Sequence, residues 1–224
     1  MAKELQFTPR LFEFLRELKA NNNKEWFDAN KQRYLDDVRD PLLAVIAALG
    51  PRLIEISPFL VTDPKRVVFR IYRDIRFSQD KKPYKTHASA FFHHQSGKDG
   101  PGLYLHLEPD GCFFGAGLYH PDPKTRAKIT DTIAAKPDAW GAIVNHNDFK
   151  KVCRMEGDSL AKLPKQYDPQ HPYATDLQRK DFIVAAYFTE KQACARDFPD
   201  RIARLCHISA PYVGFVARAA GMKW

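Results

Sequence analysis

The sequence has no hydrophobic run long enough to cross a membrane. Its longest apolar stretch, LLAVIAALG at 42–50, has about half of the ~20 residues that a membrane-spanning helix requires. The first ten residues, MAKELQFTPR, also lack the hydrophobic stretch of a secretory signal peptide. These absences predict a cytoplasmic protein that has no membrane partner.

Cysteine is scarce, and its positions argue against a disulfide framework. No two cysteines form a CxxC pair, and none has a histidine at metal-site spacing. We therefore expect reduced thiols in a reducing compartment. The four cysteines are Cys112, Cys153, Cys194 and Cys206.

The motifs of several large enzyme classes are also missing. The chain contains no GxGxxG fingerprint, no GKS/T phosphate loop and no GxSxG elbow, which removes support for those nucleotide-binding folds and for serine hydrolases. No HxH, HExxH or HxxxH spacing occurs with an accompanying carboxylate, so we predict no metal site and name no cofactor. The histidines expected to be ordinary strand residues are His87, His93, His94, His106 and His120.

What the sequence does contain suits a folded domain with a full core. The length of 224 residues fits one domain or two small ones, and we expect one domain over 1–224. Hydrophobic residues make up 44% of the chain, which is enough to bury a core. Charged residues make up 28% and supply a solvated surface.

The positive charge of the chain is concentrated in one segment. The whole sequence carries a formal net charge of +8, and residues 65–98 account for most of it with nine Lys or Arg against two Asp. Residues 1–57, by contrast, hold nine of each sign. This imbalance is a local electrostatic feature that indicates an anionic partner, and it differs from the diffuse basicity of a tail.

Hydrophobic periodicity predicts an α+β fold. The first 57 residues repeat at helical spacing, with helix starts at Thr8, Asn23 and Asp40. Short aromatic or β-branched runs separated by turn residues then predict a mostly antiparallel sheet, packed by N-terminal and C-terminal helices. The predicted strands are 66–74, 87–94, 103–108, 112–119 and 181–188, and the predicted later helices are 123–135, 137–145, 199–208 and 211–220.

The third and fourth predicted strands form a hairpin whose outer face combines two glycines with a histidine and a tyrosine. A two-residue turn at 110–111 would place His106 opposite Gly115 and Tyr104 opposite Gly117, while leucines pair on the core face. Glycine within a strand marks the close approach of another group, so these residues are candidates for contact with a ligand. The alternative is that the two rings simply cover the glycines.

The stretch RIYRDIRFSQDKKPYK, residues 70–85, is the strongest candidate for a binding site. Its cations outnumber its two acids, so either acids from elsewhere or an external anion must neutralise them. We expect a phosphorylated or carboxylated ligand, bound by forked arginine donors and by lysine point charges. The cations expected to bind it are Arg70, Arg73, Arg76, Lys81 and Lys85.

Two other interpretations of these cations stay open. In a nucleic-acid binding module they would follow a phosphate backbone while Phe91, Phe92 or Tyr72 stack on bases. In a purely structural account they would pair with carboxylates of the helices. Lys180 could join the basic site, or it could form a surface pair with Asp181.

Catalysis, if the site performs any, would need a proton carrier. His106 is the first candidate because imidazole titrates near neutral pH. Tyr84 would orient the ligand, and Tyr84 and Asp74 are the other candidates for moving a proton.

The same stretch resembles the signature of the domain of unknown function 2461 family, which consists mostly of bacterial proteins of about this length. The pattern RxxRDxRF, followed by a lysine and a tyrosine, occurs here in full, and WFDANKQRY, GCFFGAGLYHP and LQRKDF are also similar to that family. The resemblance implies kinship over nearly the whole chain, but the family supplies no activity to carry over. The matching signature residues are Arg70, Arg73, Asp74, Arg76, Phe77, Lys81 and Tyr84.

Overall fold

Helices form the first part of the chain, as its periodicity predicts. The structure is a computed structural model and describes residues 6–224. The side chain of Asn23 accepts a hydrogen bond from the amide of Trp26 and so caps the second helix, which confirms the predicted start. The segments are α1 (Pro9–Ala20), α2 (Lys24–Ala29), α3 (Lys31–Arg33), a π-helical turn (Tyr34–Arg39), α4 (Asp40–Ile56) and α5 (Pro64–Val67).

A five-stranded antiparallel sheet follows, which confirms the predicted α+β class. The strand order is β1-β2-β3-β5-β4, so the short β4, which the sequence did not predict, forms one edge. The four later predicted strands are confirmed within two residues at each end. The strands are β1 (Ala88–His93), β2 (Gly102–Leu107), β3 (Phe113–Leu118), β4 (Arg154–Glu156) and β5 (Phe182–Tyr187).

The predicted strand at 66–74 is wrong. Asp63 accepts a hydrogen bond from the amide of Lys65 and starts the short α5, so the first residues of the stretch are helical. Between α5 and β1 the chain forms only isolated bridges, Val68 with Ala90 and Tyr72 with Tyr84. The segment folds back on itself beside β1 instead of joining the sheet as a regular strand.

The predicted register of the β2–β3 hairpin is wrong by two residues. The loop between the strands holds five residues and not two, because the turn closes from the amide of Gly111 to the carbonyl of Glu108. Tyr104 therefore lies opposite Gly115, and His106 lies opposite Phe113. A slip of two residues preserves the alternation of faces, so the predicted division into a core face and an outer face holds.

The later helices complete the core on one face of the sheet. The last of them is one continuous helix through Pro211, where the sequence predicted two helices. Leu103, Leu105 and Phe114 of the core face are at most 2% exposed. None of the helices in residues 6–224 has both the length and the apolar character to span a bilayer. These helices are α6 (Pro123–Ala135), α7 (Pro137–Val144), α8 (Asn147–Val152), α9 (Glu190–Ala193) and α10 (Phe198–Ala219).

Candidate functional site

The outer face of the sheet carries a row of aromatic side chains. Residues two apart in a strand share a face, so Tyr104 and His106 of β2 lie beside Phe113 of β3. The ring centroids of Tyr104 and Phe113 are 5.7 Å apart, and those of Phe113 and Tyr187 are 6.1 Å apart. Tyr187 at one end of the row is 61% exposed, and the other rings are half-buried. We call it the aromatic face; it consists of Phe69, Phe91, Tyr104, Phe113 and Tyr187.

The two hairpin glycines have different explanations. At Gly117 the backbone has φ +125°, and a Cβ atom would clash with the carbonyl oxygen of Phe182 on the neighbouring strand. That glycine is therefore required by the sheet itself. At Gly115 a Cβ atom would lie at an ordinary 3.6 Å from Cβ of Tyr104, so this position keeps the outer face flat without being forced to be glycine.

A hydrogen-bonded polar cluster lies at one end of the aromatic face. Nδ1 of His106 is 3.0 Å from the hydroxyl oxygen of Tyr104, and Nε2 of His106 is 3.1 Å from Oε2 of Glu108. The hydroxyl of Thr86 donates to the other carboxylate oxygen of Glu108 at 3.1 Å. The ring of His87 lies 4.4 Å from that of His106, centroid to centroid. Hydrogen bonds thus hold the side chains of Thr86, Tyr104, His106 and Glu108 in fixed orientations.

Burial sets the charge states in this cluster. Burial, reinforced by the neighbouring His106, lowers the pKa of His87 to about 4. For Glu108, burial raises the pKa, but hydrogen bonds from His106 and Thr86 outweigh that effect and leave the pKa below its ordinary value. At neutral pH a neutral imidazole and a carboxylate therefore lie side by side. His87, His106 and Glu108 each offer one ligand atom, and these atoms lie within 4.8 Å of one another.

Three cations lie near Phe69, next to this cluster: Arg70 follows it in the chain, and Lys85 and Lys98 face its ring. The ammonium groups of Lys85 and Lys98 lie 4.9 and 5.4 Å from the centroid of the Phe69 ring. Burial, followed by repulsion from Arg70 and Lys98, lowers the pKa of Lys85. Among residues 6–224 none of the three cations forms a salt bridge, although Arg70 is near enough to Asp74 to lower the pKa of that carboxyl. We call Arg70, Lys85 and Lys98 the Phe69 cations.

Two other predicted cations are instead paired within their own loop. A terminal nitrogen of Arg73 donates to Oδ2 of Asp80 at 2.7 Å. The Arg76 guanidinium donates to both carboxylate oxygens of Asp74, at 2.9 and 2.6 Å. The two aspartates of the stretch are therefore already engaged by two of its cations.

Lys81 and Tyr84 are also held by local contacts. The ammonium of Lys81 donates to the carbonyl of Ile75 at 3.1 Å. Tyr84 is 3% exposed, and its ring stacks on Phe27 with centroids 4.1 Å apart. The backbone of Tyr84 forms two hydrogen bonds with the side chain of Asn22. This tyrosine anchors the loop to the N-terminal helices, and its ring belongs to the core.

The structure does not bring Lys180 to the Phe69 cations. Lys180 lies two residues before the start of β5, and two strands separate β5 from β1. Its neighbour Asp181 is 1% exposed and accepts hydrogen bonds from the amides of Asp158 and His120 and from the His120 ring. Asp181, just before β5, therefore connects the segment after β3 with the segment after β4 through hydrogen bonds.

Sequence reasoning missed Lys98 and Glu108 and passed over His87. The signal for Glu108 was available in the sequence, because His106 and Glu108 are two residues apart and alternate onto one face. The pairing of Ala88 with Leu107 then places His87 opposite Glu108. Lys98 could not be found in this way, since it lies in the loop between β1 and β2 and reaches Phe69 only through the folded chain.

Two surface cavities lie away from the aromatic face. One, of about 510 Å³, is lined by residues that include Arg126, Tyr167 and Arg179. The other, of about 500 Å³, is lined by residues that include Cys112 and Glu190. Neither of these two cavities is lined by a residue of the aromatic face or by a Phe69 cation.

Comparison with known proteins supports one assignment, at the level of the family. No curated protein and no solved structure matches the chain significantly. A family model described as "Conserved hypothetical protein (DUF2461)" matches residues 10–215, which include the candidate site and most of the fold. The resemblance expected from the signature residues is thereby confirmed, and the chain belongs to the DUF2461 family of conserved hypothetical proteins.

Proposed function

We propose that this protein binds a phosphorylated or carboxylated small ligand on the outer face of its sheet. The anionic group would be held by the Phe69 cations, and the rest of the ligand would lie on the aromatic face. The observation that carries the proposal is the proximity of Arg70, Lys85 and Lys98 without a salt-bridge partner among residues 6–224.

Electrostatics favour an anion at this position. Like charges held close together repel, and the lowered pKa of Lys85 reflects both its partial burial and that repulsion. A phosphate or carboxylate would offset the repulsion, with Arg70 as a forked donor and the two lysines as point charges. In contrast, Arg73 and Arg76 are each satisfied by an aspartate and have less to gain from an anion.

The aromatic face favours a ligand that also has a flat apolar part. The Phe69 ring faces the ammonium groups of Lys85 and Lys98, and its centroid is 6.3 Å from that of Tyr104. A planar group lying over Tyr104 and Gly115 would therefore have its charged end near the cations. Offset stacking on such rings contributes about 0.5–1.5 kcal/mol for each pair.

A second candidate is single-stranded nucleic acid. The exposed ring of Tyr187 and the succession of rings on adjacent strands favour it, because bases stack on aromatic side chains while cations follow the backbone. Phe91 is half-buried and belongs to the aromatic face, whereas Phe92 is 1% exposed in the core and cannot stack on a base. Tyr72 is 48% exposed, with its ring beside Phe27 and Tyr84.

Thermal unfolding in the presence of anions tests the proposal. Inorganic phosphate and a nucleoside monophosphate should each raise the melting temperature more than chloride at equal ionic strength. Lys85→Ala and Lys98→Ala should reduce that gain, whereas Lys151→Ala, which removes an exposed lysine on α8, should not. An equal response in all four proteins would refute a site at the Phe69 cations.

Salt dependence separates the two candidates. Binding of an oligonucleotide should weaken steeply with salt, by about 0.7 in log-log slope for each phosphate that is neutralised on a single strand. The absence of oligonucleotide binding at low salt, together with stabilisation by the monophosphate, would select the small ligand.

If Lys85→Ala instead unfolds the protein, these cations have a structural role.

A further inference from the structure

We propose that His87, His106 and Glu108 form a binding site for a divalent transition-metal ion such as Zn²⁺. This site is separate from the Phe69 cations, and the inference does not depend on the proposed anionic ligand. It goes against the expectation from sequence spacing, because the three residues meet only through strand pairing.

The spacing of the ligand atoms suits one small cation. Ligands with metal bonds of about 2.1 Å lie roughly 3.0–3.4 Å apart around a tetrahedral or octahedral ion. Nε2 of His106 and Oε2 of Glu108 are 3.1 Å apart and already meet that requirement. All three ligand atoms lie within 4.8 Å of one another, so roughly 1.5 Å of side-chain movement would complete the set.

The donor set also matches known metal chemistry. Two imidazoles and one carboxylate hold Zn²⁺ in several hydrolases and Fe²⁺ in non-haem oxygenases, and they leave coordination positions open for water or another ligand. His87 and Glu108 are half-buried and His106 is 8% exposed, so the three donors are partly shielded from water. Shielding of this kind lowers competition from solvent for the ion.

The contacts around the three donors provide independent support. Metal-binding histidines usually donate their second ring nitrogen to an oxygen, and metal-binding carboxylates are themselves hydrogen-bonded. Here the second nitrogen of His106 faces the hydroxyl of Tyr104 at 3.0 Å, and the second oxygen of Glu108 accepts from Thr86. Both residues are thus oriented with the remaining donor atom directed toward the cluster.

The alternative is a hydrogen-bonded cluster that binds no ion. In that case Nε2 of His106 carries a proton and donates it to Glu108, and the site needs nothing further. Lys85 acts against metal binding, because it carries a positive charge and precedes His87 by only two residues in the chain. A cation at the cluster would be repelled by the same charge, so the affinity should rise when Lys85 is replaced by Ala.

Titration of the full-length, EDTA-treated protein with Co²⁺ tests the site, because bound Co²⁺ has a visible absorption spectrum that reports its ligands. We expect one ion per chain. His87→Gln and Glu108→Gln should abolish the spectrum, while His207→Gln, which changes an exposed histidine on α10, should leave it unchanged. Tyr104→Phe should retain the spectrum and weaken Co²⁺ binding by about 10- to 100-fold, as expected for a residue that orients the metal-binding side chain of His106.

A second measurement uses the unaltered protein and so does not depend on the folding of any variant. Anomalous X-ray scattering from Co²⁺ in crystals of the unaltered protein should locate the ion between His87, His106 and Glu108. The proposal is overturned if no ion binds, if the ion lies elsewhere, or if folded His87→Gln protein binds Co²⁺ as tightly as the unaltered chain. If phosphate does not stabilise the protein but Co²⁺ binds between these three residues, the proposed anion site is contradicted and the metal site is supported.

Discussion

Two groups of cations in the same segment have opposite surroundings. Between residues 73 and 82, arginines are paired with aspartates of the loop, as Arg73 is with Asp80. Around Phe69, three cations lie near one another without a salt-bridge partner among residues 6–224. The difference teaches that an excess of charge in a sequence does not locate a binding site. Local acids pair with some cations, and the fold determines which others have no salt-bridge partner among residues 6–224.

The largest expected difference is in stabilisation by phosphate. A ligand at a hundredfold excess over its dissociation constant stabilises the native state by about 2.7 kcal/mol. Arg70→Ala should lose most of that gain, whereas Arg76→Ala, which removes a cation already paired with Asp74, should keep it. Denaturant unfolding with and without phosphate measures both. Equal losses in the two variants would remove the distinction between the groups.

The next effect is on the stability of the protein without ligand. Arg73→Ala removes hydrogen bonds to Asp80 and to the carbonyl of Lys82, so it should lower the free energy of unfolding by a small amount. Arg70→Ala breaks no salt bridge and should lower it less, or raise it by removing repulsion from Lys85. Urea unfolding in phosphate-free buffer compares the two. The reverse ranking would mean that Arg70 is structural.

A smaller effect should appear at alkaline pH. The folded-state pKa of Lys85 is lowered, first by burial and then by Arg70 and Lys98, so the folded protein releases this proton before the unfolded chain does. Stability should therefore rise as the pH increases from the lowered pKa toward the unfolded value of about 10.4. Lys85→Met should flatten this rise between the two pKa values. If the free energy of unfolding has the same pH dependence in the unaltered protein and in Lys85→Met, the pKa of Lys85 is not lowered in the folded state.

The smallest effect should come from the paired loop in acid. Hydrogen bonds from Arg76 and Arg73 lower the pKa of Asp74 and Asp80, respectively. The two ion pairs therefore stabilise the folded protein fully above the unfolded pKa of about 3.9. This stabilisation is lost as the pH falls through the folded pKa of each carboxyl. Because both carboxyls are exposed, Asp80→Asn should change acid unfolding only slightly. A large shift in the acid midpoint would mean that this loop contributes more to stability than its exposure suggests.

The sequence predicts the class of fold and most of the sheet, because aromatic and β-branched runs bounded by Gly and Pro identify strands locally. It misplaces 66–74, since Asp63 and Pro64 start a short helix there. It also misjudges the hairpin register, which depends on a loop geometry that the dipeptide Asp-Gly does not determine. The division of the hairpin into two faces survives because it depends only on alternation.

The site is less predictable than the fold for a physical reason. Charge patterns identify Arg70 and Lys85, but they give no means of recognising that Arg73 and Arg76 are paired within the loop. Lys98 reaches Phe69 from another loop, and His87 meets Glu108 only through strand pairing. Contacts that join separate segments depend on the whole fold, and a linear pattern does not contain them.

The most direct test of the central claim is a crystal structure of the protein with phosphate bound. We predict an anion within hydrogen-bond distance of Arg70 and of at least one of Lys85 and Lys98, with Arg73 and Arg76 still paired to Asp80 and Asp74. An anion bound instead by Arg73 and Arg76, with their aspartates displaced, would contradict the account. So would an anion found only in the cavity beside Arg126 and Arg179, with the Phe69 cations left bare.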